Sequence, residues 1–296
     1  MNSTVLLVGH GSRNIDGNHE IDQFAANWRK QHPDWHIETC FIEFSDVLLD
    51  SGLDNAARHA ANTSKKVIVV PLILNAAGHV KMEIPHFIGE ARTRHPEIEF
   101  VYARHLGADE AILTILKREL RKVMAALDVP DPKTTGVIIL GRGSSDRFAN
   151  GEIAKMARWL YEESDHEQID IAFTGITFPR LERVVQQQVA LGMTQIVVLP
   201  YYLFTGTLME RIRRQIVRLQ SQYPAIAIEC GHYFGFEKEI YALLSTRVLE
   251  ANGGDDRHKA VMMECDGCAY RALAEQGDDH HHHHHSHTET AEKVSA

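Results

Sequence analysis

The segment VLLVGHGS at residues 5–12 recurs as VIILGRGS at residues 137–144, 132 positions further along the chain. A second apolar segment, VIVVPLIL at residues 67–74, recurs as IVVLPYYL at residues 196–203. The paired segments keep their order, and their spacing drifts by only a few residues. Internal repetition of this kind indicates that the chain contains two copies of one domain.

Each copy alternates short apolar segments with amphipathic ones. In the first copy, the strand candidates are residues 4–8, 36–43, 66–73 and 98–103, and the helix candidates are residues 15–31, 53–63, 83–93 and 109–126. Nearly continuous apolar, β-branched strands are typical of parallel sheets covered on both faces. The pattern therefore predicts an α/β fold with two repeated domains, each an open parallel sheet flanked by helices.

Two further features place the domain boundaries. The segment DVPDP at residues 128–132 breaks any helix and joins the copies. Beyond residue 250 the repetition stops, and the polar composition there predicts a flexible tail. We therefore expect a first domain at residues 1–127, a second at residues 134–250, and a tail at residues 251–296.

Composition excludes several classes of protein. Hydrophobic residues make up 44% and charged residues 24% of the 296 residues, as expected for a soluble globular protein. No apolar segment approaches the roughly 20 residues of a membrane span. The net charge of −9 argues against a nucleic-acid partner. Met1 leads directly into a strand candidate without a basic flank, which predicts a cytoplasmic location.

Three potential metal ligands follow strand candidates in the first copy. His10 follows the first strand, Glu43 ends the second, and His79 lies just beyond the third. In an open parallel sheet, ligands bind at the carboxyl ends of the strands. Two imidazoles and one carboxylate converging there would suit Co²⁺, Fe²⁺, Ni²⁺ or Zn²⁺.

A lone histidine after a strand is more often an ordinary loop or buried residue than a metal ligand. The second copy offers an internal comparison, because His10 corresponds to Arg142, Glu43 to Gly175, and His79 to about Thr207. The second copy keeps the glycines and apolar strands but lacks all three candidate ligands. This joint loss favours one active copy and one adapted partner.

Several basic residues near the same predicted loops could bind an acidic substrate. Arg142 could hold a carboxylate through two hydrogen bonds. Arg13 and Lys81 are further candidates, and Arg147 and Arg211 lie nearby in sequence. Any one of them is more often a solvated surface charge. Together they predict local binding of a polycarboxylate by an acidic protein.

These residues together resemble the type II tetrapyrrole chelatases, and more narrowly the long form of sirohydrochlorin cobaltochelatases. The resemblance rests on GHGSR at residues 9–13, FIEF at 41–44, AGHV at 77–80, EIP at 83–85, YYLFTG at 201–206 and MECDGC at 263–268. It covers both copies and extends into the tail. Glu83 departs from the pattern, since many members have aspartate there, but the charge is kept.

The resemblance implies insertion of Co²⁺ into sirohydrochlorin, or into its relative precorrin-2, during cobalamin synthesis. Close relatives insert Fe²⁺ for siroheme, or Ni²⁺ for another cofactor. The hypothesis is that His10 and His79 hold or deliver the metal and accept protons, with Glu43 as third ligand or proton acceptor. A neutral imidazole can do either, because its ordinary pKa is about 6.5.

The tail carries a Cys-x-x-Cys at Cys265 and Cys268, and histidines at residues 280–285 and 287. Two thiolates are too few for a four-cysteine cluster, so such a cluster would need a second chain or other ligands. The resemblance implies an iron–sulfur centre, bridging a homodimer. A zinc clip, a redox dithiol and an inert pair remain alternatives. The histidines read as a native metal-gathering tract rather than an expression tag.

Two rival functions fit parts of the pattern. A metal-storage protein or metallochaperone would explain the histidines but not the large repeated scaffold. A histidine phosphohydrolase would explain a histidine and glycine after the first strand. That chemistry usually needs an arginine just before the histidine, where this chain has Gly9.

Overall fold

The computed structural model describes residues 3–253. The elements of the first half, in chain order, are β1 (Ser3–Gly9), α1 (Ile15–Gln31), β2 (Trp35–Phe41), α2 (Leu49–Ala61), β3 (Lys66–Pro71), α3 (Ile84–Arg94), β4 (Glu99–Tyr102) and α4 (Glu110–Met124). A π-helical turn at His79–Glu83 leads directly into α3.

The second half repeats the same order of elements. They are β5 (Thr135–Gly141), α5 (Arg147–Glu162), β6 (Gln168–Phe173), α6 (Leu181–Ala190), β7 (Gln195–Pro200), α7 (Thr207–Gln222), β8 (Ala227–Cys230) and α8 (Lys238–Ala251). Helix α7 is the counterpart of the π-helical turn and α3 taken together.

Each half contains one four-stranded, wholly parallel sheet. The strand orders are β2-β1-β3-β4 and β6-β5-β7-β8, so the same crossover occurs at the same place in both sheets. The inner strands are buried on both faces, as the continuous apolar segments predict. The predicted α/β fold with two repeated sheets is confirmed.

Helix α2 begins earlier than the sequence predicts. The expected start was residue 53, directly after Gly52, whereas the helix begins at Leu49. Gly52 lies inside the helix, where a Cβ atom would come within 2.4 Å of the Cys40 Cβ. This glycine therefore allows α2 to approach strand β2 closely instead of ending a helix.

The two halves exchange their last helices. Helix α4 of the first half packs on α5 and β7 of the second, while α8 of the second packs on β3 of the first. On that side, the Tyr241 ring stacks on the Phe24 ring of α1, with centroids 4.0 Å apart. One buried apolar cluster consequently contains side chains of both halves, including Val5 and Val137.

Among the described helices, none is long and apolar enough to cross a membrane. The predicted boundaries at residues 127, 134 and 250 remain predictions. Cys265, Cys268 and the histidine tract of the predicted tail lie outside the described residues.

Candidate metal and macrocycle site

The loop after strand β1 brings the first candidate ligand against the chain that follows β2. The backbone of Gly11 adopts a φ of +89°, and a Cβ there would lie 1.7 Å from the carbonyl oxygen of Glu43. Only glycine permits both this conformation and this approach. The Glu43 amide in turn donates to the His10 carbonyl oxygen at 3.2 Å. Backbone contact therefore fixes the two candidate ligands side by side.

The strand order brings the third candidate ligand to the same place. Strands β2, β1 and β3 are neighbours, and Glu43, His10 and His79 follow them respectively. His79 opens the π-helical turn after β3. Turns of this kind occur frequently at functional sites. The tertiary structure thus unites three residues that are far apart in sequence.

The three side chains contact one another directly. The His10 and His79 rings meet edge to face, with centroids 4.7 Å apart and planes at 82°. A Glu43 carboxylate oxygen lies 3.5 Å from His10 Nδ1. All three are partly exposed, with 30–39% of each side chain accessible. The site is therefore open to an incoming ion and to a ligand above it.

Hydrogen bonds orient both imidazoles. His79 Nδ1 donates to the Glu83 carboxylate one turn further along the helix, which leaves Nε2 as the ring nitrogen able to bind a metal. His10 Nδ1 contacts the Gly11 carbonyl oxygen at 3.2 Å, which fits a proton on Nδ1 and an acceptor lone pair on Nε2. Carboxylate and carbonyl partners of this kind are typical of metal-binding histidines.

The electrostatic surroundings shift the pKa values of the two histidines in opposite directions. Burial lowers the pKa of His10, and the neighbouring His79 lowers it further, so His10 stays neutral and able to bind a metal. The hydrogen bond that His79 donates to the Glu83 carboxylate raises the pKa of His79. Burial also raises the pKa of the Glu43 carboxyl, against the opposing effect of His79. A bound cation would favour the ionised carboxylate and the neutral imidazoles.

The donor set fits a first-row divalent metal. One ligand atom from each of His10, Glu43 and His79 lies within 4.8 Å of the other two. Atoms bound to one ion at about 2.1 Å lie at most about 4.2 Å apart. Small side-chain rotations would close that difference. Two imidazoles and one carboxylate leave further coordination positions for water or for a macrocycle.

The second half contributes an arginine to the same site. Arg142, the counterpart of His10, places Nη1 3.2 Å from His10 Nε2. It follows β5 just as His10 follows β1, and the counterparts Gly175 and Thr207 offer neither an imidazole nor a carboxylate. The sheet edge of the first repeat, which carries the candidate metal ligands, therefore faces a cationic side chain at the sheet edge of the second repeat.

The other two predicted substrate-binding residues differ in position. The Arg13 guanidinium lies 5.0 Å from the centre of the exposed Phe44 ring, and its charge weakly opposes the burial that raises the pKa of nearby Glu43. The structure places Lys81 elsewhere: it is buried and forms an ion pair with Asp146 at 2.6 Å. A buried ammonium bonded to a carboxylate is not presented to solvent, and the substrate-binding role of Lys81 stays a prediction.

Sequence reasoning missed the role of Glu83, which it noted only as a departure from a family pattern. The signal was present, since residues four apart on a helix lie on the same face. It also missed the contact of Arg142 with His10. That contact depends on how the two repeats pack, which no local pattern encodes.

Comparison with known proteins agrees with this geometry. The sequence profile of the CbiX family matches residues 4–123 and 136–251. The chain is 37% identical to a sirohydrochlorin cobaltochelatase of Priestia megaterium, over 94% of this chain and 88% of that protein. It is 26% identical to a sirohydrochlorin ferrochelatase of Bacillus subtilis, over 93% of this chain and 100% of that protein.

Solved structures of sirohydrochlorin chelatases have a similar fold. SirB from Bacillus subtilis with Fe³⁺ superposes with a TM-score of 0.72 at 27% identity, covering 85% of this chain and 96% of SirB. A cobalt complex of the SirB sirohydrochlorin chelatase from Bacillus subtilis subspecies spizizenii has a TM-score of 0.69 at 26% identity, over 85% and 95% of the respective chains. The resemblance noted in the sequence is thus confirmed, and the chain belongs to the CbiX family, with two copies of the family's domain in tandem.

Proposed function

We propose that this protein is a chelatase that inserts Co²⁺ into sirohydrochlorin. The observation that carries the proposal is the convergence of His10, Glu43 and His79 at one partly exposed edge of the first sheet. The second repeat lacks these ligands and presents Arg142 to them. A storage protein would need neither the facing arginine nor an open side for a large flat ligand.

Metallation replaces two pyrrole N–H protons by one divalent ion, which must also lose bound water. Neutral His10 can bind the ion through Nε2 or accept one proton there, because burial holds its pKa down. Glu43 offers a second acceptor beside it. Glu83 keeps the His79 ring oriented through the Nδ1 hydrogen bond. The site thus combines metal ligands and proton acceptors within a few ångströms.

The edge of the site supplies apolar contacts for a flat ring. Phe44 directly follows Glu43, and its counterpart Ile176 directly follows Gly175. Both side chains are exposed, and both residues have a positive φ, 54° and 62°. Bulky residues in this conformation are strained and cluster at ligand sites. Their repeated occurrence beside the crevice supports binding of a planar, partly apolar molecule.

The choice of cobalt as the substrate metal follows from the relatives. The cobaltochelatase of Priestia megaterium is 37% identical to this chain, whereas the ferrochelatases of Priestia megaterium and Bacillus subtilis are 27% and 26% identical. The ligand types themselves discriminate poorly among Co²⁺, Fe²⁺ and Ni²⁺. A sirohydrochlorin ferrochelatase is therefore the second candidate.

An anaerobic absorbance assay tests both candidates. Purified protein is mixed with sirohydrochlorin and Co²⁺, Fe²⁺ or Ni²⁺, and the spectral change of metallation is followed against a reaction without protein. We expect acceleration that is greatest with Co²⁺. A larger acceleration with Fe²⁺ would favour the ferrochelatase, and no acceleration with any of the three metals would refute the proposed function.

The finer expectations extend to the tail and the setting of the enzyme. We propose a cytoplasmic location. We also propose, on the basis of the sequence resemblance, an iron–sulfur cluster at Cys265 and Cys268 that is shared within a homodimer. Anaerobic reconstitution with iron and sulfide, followed by iron analysis and measurement of the molecular mass, tests the cluster. A colourless, metal-free protein after reconstitution would refute it.

A further inference from the structure

A groove rich in arginine runs between helices α6 and α7 of the second repeat, at the carboxyl edge of its sheet. It encloses a cavity of about 310 Å³. Its charged and amide side chains are Arg180, Arg211, Arg214, Arg218, Glu182 and Gln215. We call this feature the arginine groove. Four cations and one anion give it an excess of positive charge on a chain whose net charge is −9.

The four guanidinium groups lack carboxylate partners within residues 3–253. The ion pairs and hydrogen bonds of that part of the chain include none from Arg180, Arg211, Arg214 or Arg218 to an acidic side chain. Glu182 instead accepts a hydrogen bond from Gln215. Clustered cations without counterions repel one another, so an anion entering the groove would relieve the repulsion.

The repeat provides an internal control for this charge pattern. The segment 79–94 and helix α7 both follow a glycine, Gly78 and Gly206, and both end before an aromatic residue and a proline. Counting along both from that glycine, Glu83, His86, Phe87 and Glu90 of the first half correspond to Arg211, Arg214, Gln215 and Arg218 of the second.

The sign of the charge is therefore inverted between equivalent helices. Glu83 serves His79 in the metal site, and Glu90 pairs with His86 at 3.4 Å. The second half also gains a positive charge at the start of the preceding helix, where the uncharged Leu48 of the first half corresponds to Arg180. A fold requirement shared by both repeats cannot account for opposite charges. One half is suited to a cation, and the other to an anion.

The arginine groove begins beside the metal site. A Cβ atom on Gly175 would lie 3.7 Å from the Arg142 carbonyl oxygen and 3.8 Å from Arg180 Nη1. Arg142 itself reaches His10. Thr174, at the groove, bonds the Tyr202 hydroxyl at 2.7 Å, and both Arg142 and Arg211 act on the pKa of Tyr202. A molecule centred over His10 can thus reach the groove with its edge.

We infer that the arginine groove binds carboxylate groups on the edge of the macrocycle while the ring centre faces the metal ligands. The inference rests on the proposed function and adds the residues that recognise the ring. Guanidinium groups suit this task because they form paired hydrogen bonds with carboxylates. The ion and the ring are then held by different repeats, so ring binding does not require the metal.

The test compares two charge-removing changes on helix α7. The triple variant Arg211→Gln/Arg214→Gln/Arg218→Gln removes three groove cations, and Arg213→Gln removes one cation of α7 that does not line the groove. All four side chains are exposed, so both proteins should fold, which circular dichroism checks. Ring affinity is measured without metal, by the absorbance change of sirohydrochlorin at low and high salt.

We expect the triple variant to raise Kd for the ring roughly tenfold or more, with a weaker salt dependence. KM for the ring should rise in parallel, while kcat at saturating ring stays close to that of the wild type. The Kd and KM of Arg213→Gln should stay within about twofold of the wild-type values, because an exposed charge outside the groove contributes little. Values of Kd and KM for the triple variant equal to those of Arg213→Gln would overturn the inference.

A second probe separates this inference from the proposed function. Citrate, a small tricarboxylate, should protect the wild type and Arg213→Gln against thermal unfolding but not the triple variant. Loss of citrate protection with unchanged ring affinity would make the groove a small-anion site and overturn the inference. A wild type that binds the ring through these arginines but accelerates no metallation would refute the chelatase activity and leave the groove standing.

Discussion

Replacing Lys81 by methionine should destabilise the protein far more than it affects substrate binding. Lys81 lies in the π-helical turn of the first half, and its ammonium contacts the carboxylate of Asp146 at 2.6 Å in the second half. The two side chains are only 7% and 4% exposed. Asp146 also accepts the Phe148 amide and so caps helix α5. This ion pair therefore links the two repeats beside the metal site.

The magnitude follows from burial. Removing one partner of a buried ion pair leaves an uncompensated charge and costs about 3–5 kcal/mol of unfolding free energy. For a protein of this size, that corresponds to a fall in Tm of roughly 6–20 °C. The control is Lys122→Met, which breaks a pair with Glu119 at 3.6 Å in which the lysine is 63% exposed. That change should cost about 0.5 kcal/mol or less.

Guanidinium denaturation of the two variants measures the difference, and metallation assays give KM for the ring. A further Asp146→Asn change in the Lys81→Met protein should restore much of the lost stability, because it removes the buried charge and keeps a side-chain oxygen for the helix cap. A Lys81→Met protein that loses less than about 1 kcal/mol but shows a raised KM would refute this reasoning. Lys81 would then contact substrate, as the sequence predicted.

Three further changes test the site and the stability of the fold. His10→Ala or His79→Ala should each slow metallation roughly 10²-fold or more in the anaerobic absorbance assay, whereas the control His36→Ala should not. A near-normal rate in either variant would remove that residue from the proposed chemistry. Gly11→Ala should abolish tight metal binding measured by calorimetry, since its Cβ would collide with the Glu43 backbone; an unchanged affinity would show that the loop can move. Burial lowers the pKa of His105 to about 3, below an unfolded value of about 6.5. The free energy of unfolding should therefore fall as pH drops from 6.5 toward 3. His105→Gln should make this pH dependence shallower in denaturation curves, and an unchanged pH dependence would contradict the assignment.

The fold and the three candidate ligands were predictable because their signals are local or repeated. Continuous apolar strands alternate with amphipathic helices, which specifies a parallel sheet, and a parallel sheet gathers strand-end residues such as His10 and His79 at one edge. The start of α2 was placed at residue 53 instead of Leu49, because sequence alone does not show that Gly52 permits close packing of the helix on strand β2. The burial of Lys81 against Asp146 could not be predicted, because burial depends on what packs against a residue.

By itself, the sequence determined that the chain holds two related α/β repeats and that only the first carries a His–Glu–His set at its strand ends. Repetition and apolar periodicity are properties of neighbouring residues, so they can be read without coordinates. Only the tertiary structure decided how the repeats face each other. It decided the exchange of α4 and α8, the contact of Arg142 with His10, the burial of Lys81 against Asp146, and the line of arginines that begins beside Gly175. Each of these depends on contacts between residues far apart in the chain, which arise only when both sheets share one core.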